Sequence, residues 1–191
     1  MQKIEFFEYF LYQMLSTFDI KNYRNENGYI NADIGMLKAQ KLLFFTCSLS
    51  AINFEKENTD LFDFFDKFYA MPFGHVESEV YSYASQNFIY FNFSRNSISQ
   101  IKFYKETDFI VEPDKNRKEL FKKILIQTFS DFKIEISNLF DDSNYEIVEK
   151  SHRLTSWRNY YEIALSNNRN SEFIPIDFLR RESKFITPVL A

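Results

Sequence analysis

Leu37-Lys38-Ala39-Gln40-Lys41-Leu42-Leu43-Phe44-Phe45, read together with Phe68-Tyr69-Ala70-Met71-Pro72-Phe73-Gly74-His75-Val76-Glu77-Ser78-Glu79-Val80-Tyr81 downstream, decides the fold. Leu37, Gln40, Lys41, Phe44 and Cys47 recur at helical spacing, while Leu42, Leu43, Phe45 and Leu49 widen the apolar surface beyond one stripe. The spacing predicts a central helix contacted from several sides. Downstream, Leu61, Phe62, Phe64, Phe65 and Phe68 predict a short aromatic helix. Pro72 must end it, because proline disfavours helical geometry at Met71 and lacks an amide hydrogen. Gly74 can take backbone angles closed to other residues, and a new helix is predicted over 76–83 with Glu77 and Glu79 at its positive end. A sharp corner between two helices is expected here.

Outward from this stretch, Phe7, Phe10, Leu11, Met14 and Phe18 predict a first amphipathic helix over 4–18 that packs on the central one. Residues 19–35 read as a polar connection with a turn at Asn25-Glu26-Asn27-Gly28, a short extended piece at Tyr29-Ile30, and Asp33 capping the central helix. Residues 88–93 and 98–104 flank Ser94-Arg95-Asn96-Ser97 and predict a β-hairpin whose edge could accept a partner strand or simply cap the helical core. Pro113 opens a segment in which Leu120, Phe121, Ile124, Leu125, Phe129 and Phe132 mark a long helix. Its other face carries Lys115, Arg117, Lys118, Lys122 and Lys123, which reads as a solvated face, since Asp114 and Glu119 interrupt it. Two helices are predicted over 144–154 and 157–165 with Ser156 as N-cap. A last helix runs from Pro175 to near residue 183, and the tail after it is expected to be loosely held. The predicted fold is mainly α: a single-domain helical bundle, residues 1–191, around one central helix, with a small β-hairpin at about 88–104.

These segments resemble the Panacea domain, the family of SocA-like antitoxins. That family carries a Leu-Lys-x-Gln-Lys-Leu-Leu-(Tyr/Phe) helix, matched here by Leu37, Lys38, Gln40, Lys41, Leu42, Leu43 and Phe44. Its downstream corner and Glu-x-x-(Val/Ile)-Tyr helix are matched by Gly74, Val76, Glu77, Val80 and Tyr81. Ser151, His152 and Trp157 are similar to its serine-histidine and proline-tryptophan segment, and 174–179 to its closing helix, so the likeness spans about residues 35–180. Two departures stand out. His75 replaces the proline after the corner glycine, and Ser156 replaces the proline before Trp157. A proline at position 75 is therefore expected to be tolerated, with His75 needing no special backbone freedom. The resemblance implies an antitoxin-like protein that neutralises a cognate toxin, encoded next door, by direct protein–protein binding, with a protease complex as a further partner through an adaptor role.

Composition sets the limits. With 191 residues, 45% apolar and 26% charged, the chain suits one globular domain. Its 24 Phe and 12 Tyr against 3 Gly predict a core packed with large rings, since Phe, Tyr, Asn, Ile and Lys rise together as in AT-rich coding sequence. A net charge of −4 argues against a phosphate-neutralising surface and suits a basic partner better. The lone Cys47 falls on the helix's apolar face, which predicts an inert buried thiol and a reducing compartment. Neither a signal peptide nor a spanning segment is read, so a cytoplasmic protein away from membranes is expected.

Chemistry has few materials. His75 with Glu77 and Glu79 could form a metal or acid–base group, but two residues apart on a helix would point the carboxylates roughly 200° apart. Ser151 and His152 could be nucleophile and base, but neighbours on a helix do not face one another. Both histidines are expected to make structural hydrogen bonds at helix junctions, and no catalytic residue, cofactor or metal is assigned. The alternatives kept open are a phage-associated or regulatory binding protein of the same fold, one that contacts nucleic acid among them, and, third, a small enzyme. The oligomeric state is not legible.

Overall fold

The computed structural model describes residues 2–18, 23–24, 28–53, 59–83, 88–110 and 114–190. The fold is mainly α with two small antiparallel sheets. Helix α1 (Gln2–Thr17) buries Phe6, Phe7, Tyr9, Phe10, Leu11 and Met14, so it is enclosed on more than the expected face. Helix α2 (Met36–Asn53) is buried without interruption from Lys38 to Ala51. Gly35, and not Asp33, stands at its N-cap position, its carbonyl accepting from Ala39 N at 3.0 Å. Gly35 passes so close to the Arg95 carbonyl that a Cβ would sit 2.5 Å from it, which fixes a glycine at this crossing.

The aromatic run after α2 is not a helix. Asp60 and Asp63 form a capping box on a 3-10 turn (Leu61–Asp63), and the chain then extends as β3 (Phe68–Met71) and β4 (Gly74–Glu77). The corner is a β-hairpin, with Met71 opposite Gly74 and Phe68 opposite Glu77. Proline second and glycine last in Met71-Pro72-Phe73-Gly74 fit a tight turn, and Gly74 takes a left-handed φ of 94°. Phe68 and Ala70 point inward and Tyr69 and Met71 are half-buried, a period of two that outweighs the helical reading. Helix α3 (Ser78–Tyr83) follows directly.

The hairpin expected at 88–104 is shorter and belongs to a larger sheet. Strands β5 (Phe91–Phe93) and β6 (Ile98–Gln100) join β1 (Tyr23–Arg24) and β2 (Ile30–Ala32) in the order β1-β2-β6-β5. Its β5 edge is not free at its start: the buried Glu8 carboxylate accepts from the amides of Ile89, Tyr90 (2.6 Å) and Phe91. The turn at 25–27 and Pro113 lie outside the described residues.

A short helix α4 (Glu106–Phe109) precedes α5 (Lys115–Asp131), which breaks at Phe132 into α6 (Lys133–Asp141). The basic cluster on α5 is divided: Lys118 is buried against Glu5 at 2.8 Å, and Arg117 lies over the Phe6 and Phe64 rings. A Ser143–Glu146 capping box opens α7 (Asn144–His152), and α8 (Thr155–Ser166) starts two residues earlier than expected, after Leu154. Strand β7 (Glu172–Phe173) completes the sheet β4-β3-β7. Helix α9 (Ile176–Ser183) is pinned by Arg180 Nε to Asp60 at 2.8 Å. The tail is docked, contrary to expectation: α10 (Thr187–Leu190) buries Leu190, whose carbonyl accepts from Lys150 Nζ at 3.1 Å. Among the described residues no helix is long and apolar enough to cross a membrane.

Gly74 supplies the test of the hairpin. A Cβ there would overlap Ser151 Oγ and lie 2.9 Å from Lys41 Cε, in a backbone conformation that side chains rarely adopt. Gly74→Ala is expected to cost about 2–4 kcal/mol, combining backbone strain and overpacking. A denaturant midpoint unchanged from wild type would contradict this assignment.

Candidate functional site

The residues singled out in the sequence converge on strand β4, which lies at the edge of its sheet. The register leaves the amide and carbonyl of His75 and of Glu77 pointing away from β3, where an open edge would expose them. Helices fill those positions with side chains. Gln40 Oε1 accepts from Glu77 N at 2.9 Å and its Nε2 lies 3.5 Å from Glu77 O, so one amide side chain takes the place of a neighbouring strand. Lys41 Nζ donates to His75 O at 2.5 Å, and Ser151 Oγ accepts from His75 N at 3.1 Å. Lys38, three residues back on α2, donates to the carbonyls of Phe140 (2.5 Å) and Asp142 (2.6 Å) and closes the end of α6. Leu42 and Leu43 are wholly in the core, whereas Leu37 is only half-buried.

His75 is at the centre of this junction and is 0% exposed. Its ring stacks on Phe44 at 3.8 Å between centroids, with Nδ1 2.8 Å from Ser151 Oγ and Nε2 2.7 Å from Ser156 Oγ. A neutral ring protonated at Nε2 satisfies all four atoms: Ser151 accepts the backbone N–H and donates to Nδ1, while Nε2–H donates to Ser156. Burial holds the His75 pKa well below the ordinary value, and Lys41 and His152 push it further down. Burial also drives Lys41 down to about 7. The expectation that proline would serve at position 75 is overturned: proline has no N–H for Ser151 and no ring for the two hydroxyls.

The Ser–His pairing weighed in the sequence forms with the other histidine. Ser151 faces His75, and His152 instead stacks on Trp157 at 3.7 Å with Nδ1 3.6 Å from Glu149. Trp157 continues the stack to Tyr161 at 5.0 Å and donates Nε1–H to Met71 O at 2.8 Å, so it is half-buried and clamps the hairpin. Ser156 is not a cap: its hydroxyl serves His75, and Glu182 accepts from its amide at 3.0 Å. Val76 is buried, Val80 is fully buried, and Tyr81 is 54% exposed and outside the junction.

Glu77 and Glu79 do converge, against the helical argument, because Glu77 ends a strand. Carboxylate oxygens of Asp66, Glu77 and Glu79 lie within 4.8 Å of one another. The Lys3 ammonium occupies the space between them, 2.7 Å from Asp66 and 2.8 Å from Glu77, and also pairs with Glu79. Burial lowers the Lys3 pKa, but the three carboxylates outweigh it and raise the group to about 12. The fully buried Glu77 also accepts from Lys67 N at 3.2 Å and Val80 N at 2.8 Å, the latter capping α3. Burial raises its pKa, against the pull of Lys3.

Chemically, the junction holds an amine, an imidazole and two hydroxyls in contact, but it is sealed inside the protein. Sequence reasoning missed the His75–Ser151–Ser156 group because its members are separated by 76 and 81 residues. Two of its members stand where the resembling pattern has proline, His75 and Ser156.

Two measurements follow from the junction. Lys41 is protonated in the unfolded chain up to about 10.5 and in the folded one only to about 7. Unfolded molecules thus bind more protons between those values, and stability should rise with pH through that window and be lower by a constant amount below it. His75, with its depressed pKa, adds a further loss of stability as pH falls below about 6.5. Lys41→Met should flatten the alkaline slope of the melting temperature, and His75→Asn the acidic one; an unchanged pH profile in both variants would refute the assignment. His75→Pro should lower stability by roughly 3 kcal/mol or more, through buried polar groups left unpaired. Trp157→Phe should lose about 1 kcal/mol with the bond to Met71, read from urea midpoints.

Comparisons with family models, with curated proteins and with solved structures find no match to this chain.

Proposed function

We propose that the chain is an interaction protein of the Panacea type, an antitoxin-like domain that neutralises a cognate protein by direct, stoichiometric binding. The observation that carries the reading is convergence. The segments at 37–45, 70–81 and 151–158, on which the resemblance rests, meet in one network through Gln40–Glu77, Lys41–His75, His75–Ser151 and Trp157–Met71. Residues so far apart in the chain that bond to one another are what a shared architecture requires, and chance matches to a pattern would scatter. We read α2 as the hub of a single helical domain on the same grounds. A role as a protease adaptor for the bound partner belongs to the same proposal.

Within this reading the network is scaffold. His75, Lys41, Ser151 and Ser156 are each fully enclosed, which disfavours them as the groups of a small enzyme. The nucleic-acid alternative loses ground for another reason: Lys118 and Arg117 are committed to Glu5 and to phenylalanine rings.

Coexpression with the product of the adjacent reading frame tests the function. The neighbour alone should arrest growth, the pair should grow, and the two should co-purify in equal amounts. A harmless neighbour, or rescue without a complex, would defeat the antitoxin reading.

A further inference from the structure

His75 binds through four atoms to three helices, and one protonation state of its ring makes this possible. Lys41 on α2 donates to its carbonyl, Ser151 on α7 accepts its backbone N–H and donates to Nδ1, and Ser156 on α8 accepts from Nε2–H. A proton added at Nδ1 turns that acceptor into a donor: Ser151 Oγ then faces two donors, and its own hydroxyl hydrogen loses its acceptor. The added charge would also stand at a site that is 0% exposed, which is costly without a paired counter-charge.

The charges that face the ring do not offset it. From α2 comes the Lys41 amine and from α7 comes His152, and both oppose a positive imidazole. The carboxylates around the strand are engaged elsewhere: Glu77 on β4 and Glu79 on α3 with Lys3, Glu149 on α7 with His152 at 3.6 Å, and Glu182 on α9 with the Ser156 amide at 3.0 Å. Ala70, opposite His75 on β3, has no titratable group. The packing also marks the part of the junction that can yield. Of the twelve residues of α8 only Ser156 and Ala164 are buried, whereas α2 is buried without interruption from Lys38 to Ala51. The hold of α8 on the hairpin depends on half-buried rings and two polar bonds, Ser156 to the imidazole and Trp157 Nε1–H to Met71 O at 2.8 Å. A helix with so little buried surface is where local opening costs least.

We propose that His75 works as an acid-released latch: when its imidazole takes a proton, Ser151 and Ser156 part from it, and α8 with the end of α7 lifts off the β3–β4 hairpin while the rest of the fold holds. Helix α2 stays on β4, because Gln40 and Lys41 bind the strand's backbone and not the ring. The sign follows from linkage. The closed ring is held neutral and the open one titrates near 6.5, so each pH unit below that value favours the open form about tenfold. Burial lowers the His152 pKa as well, and its release adds a second proton to the same opening. Such an opening is distinct from global acid unfolding, for it frees one helix and leaves the aromatic core packed.

Hydrogen exchange of the full chain labelled with ¹⁵N, corrected for intrinsic rates, tests the latch. The chain has 2 histidines, so His152→Gln serves as the reference in which His75 alone titrates. The His75 backbone N–H and the Trp157 Nε1–H both bridge the opening. They should exchange faster than the amides of Phe44 and Phe45 in α2, with little dependence on urea. From about pH 7.5 to about pH 5.5 their opening should increase roughly tenfold, and adding His75→Asn should abolish the increase. Imidazole ¹⁵N shifts of the wild-type chain give a second reading that needs no variant: the His75 ring should stay neutral and protonated at Nε2 well below pH 6.5 for as long as the protein is closed. Exchange of the two bridging protons at the rate of the α2 amides would make the opening global and overturn the proposal. So would a pH slope that survives His75→Asn, or a ring that titrates near 6.5 with both bridging protons still protected.

Discussion

The free edge of β4 is the constraint from which the rest of the structure follows. A short sheet buried in a helical protein must satisfy its outward amides and carbonyls without water, since each one left unpaired costs on the order of 1–3 kcal/mol. Among the described residues no further strand supplies partners, and α2 and α7 do it with Gln40, Lys41 and Ser151. Those side chains reach the strand only if α2 lies directly along it. The strand can approach so closely only because Gly74 offers no side chain to Ser151 and Lys41. Helix, strand and glycine therefore specify one another. Glu8 repeats the device at the other sheet, where a carboxylate from α1 takes the amides at the start of β5.

These arrangements cost stability as well as giving specificity. A buried amine with a single carbonyl partner is a weaker solution than an apolar residue of the same length. Lys41 is nonetheless placed where only a long donor can reach the His75 carbonyl from the helix, so it fixes the register of α2 against β4. The aromatic core supplies the compensating energy. Phe6, Phe64, Phe109 and Phe121 meet edge to face or tilted at 4.8–6.0 Å between centroids, a geometry that adds to the burial of their area. Lys3 is a different case. Its three carboxylates would repel one another without it, and it ties the start of the chain to the turn before β3 and to the end of β4.

Much of the helical framework was legible because period and burial agree. In α5 the apolar positions recur at three and four residues and the structure buries them, whereas α2, read from an apolar surface wider than one stripe, is buried all round. The corner was misread for a physical reason. A run of five phenylalanines and leucines over 61–68 satisfies the helical period and the strand period at once, and Pro72 stops either element. The deciding signal lay in the tetrad Met71-Pro72-Phe73-Gly74, whose proline and glycine positions suit a tight turn between strands. Local spacing likewise could not show Glu77 meeting Glu79, because Glu77 stands at the end of a strand and only Glu79 on a helix. The junction at His75 was beyond any local pattern, since its bonds join residues 34 to 81 positions apart.

One consequence concerns where recognition can reside. The polar residues of the resembling segments are consumed internally: Gln40 on Glu77, Lys41 on His75, Ser151 and Ser156 on the imidazole, and Trp157 on Met71. A side chain spent in this way cannot also contact a partner without unmaking the edge of β4. Such a motif therefore specifies architecture, and selectivity for one partner over another must come from residues outside it. Phe73 at the hairpin tip and Phe185 just after α9 satisfy that condition, since each is exposed and neither sustains the junction. Exchanging those surface residues between proteins of this architecture would then redirect binding at little cost in stability, whereas any exchange within the junction would alter stability first.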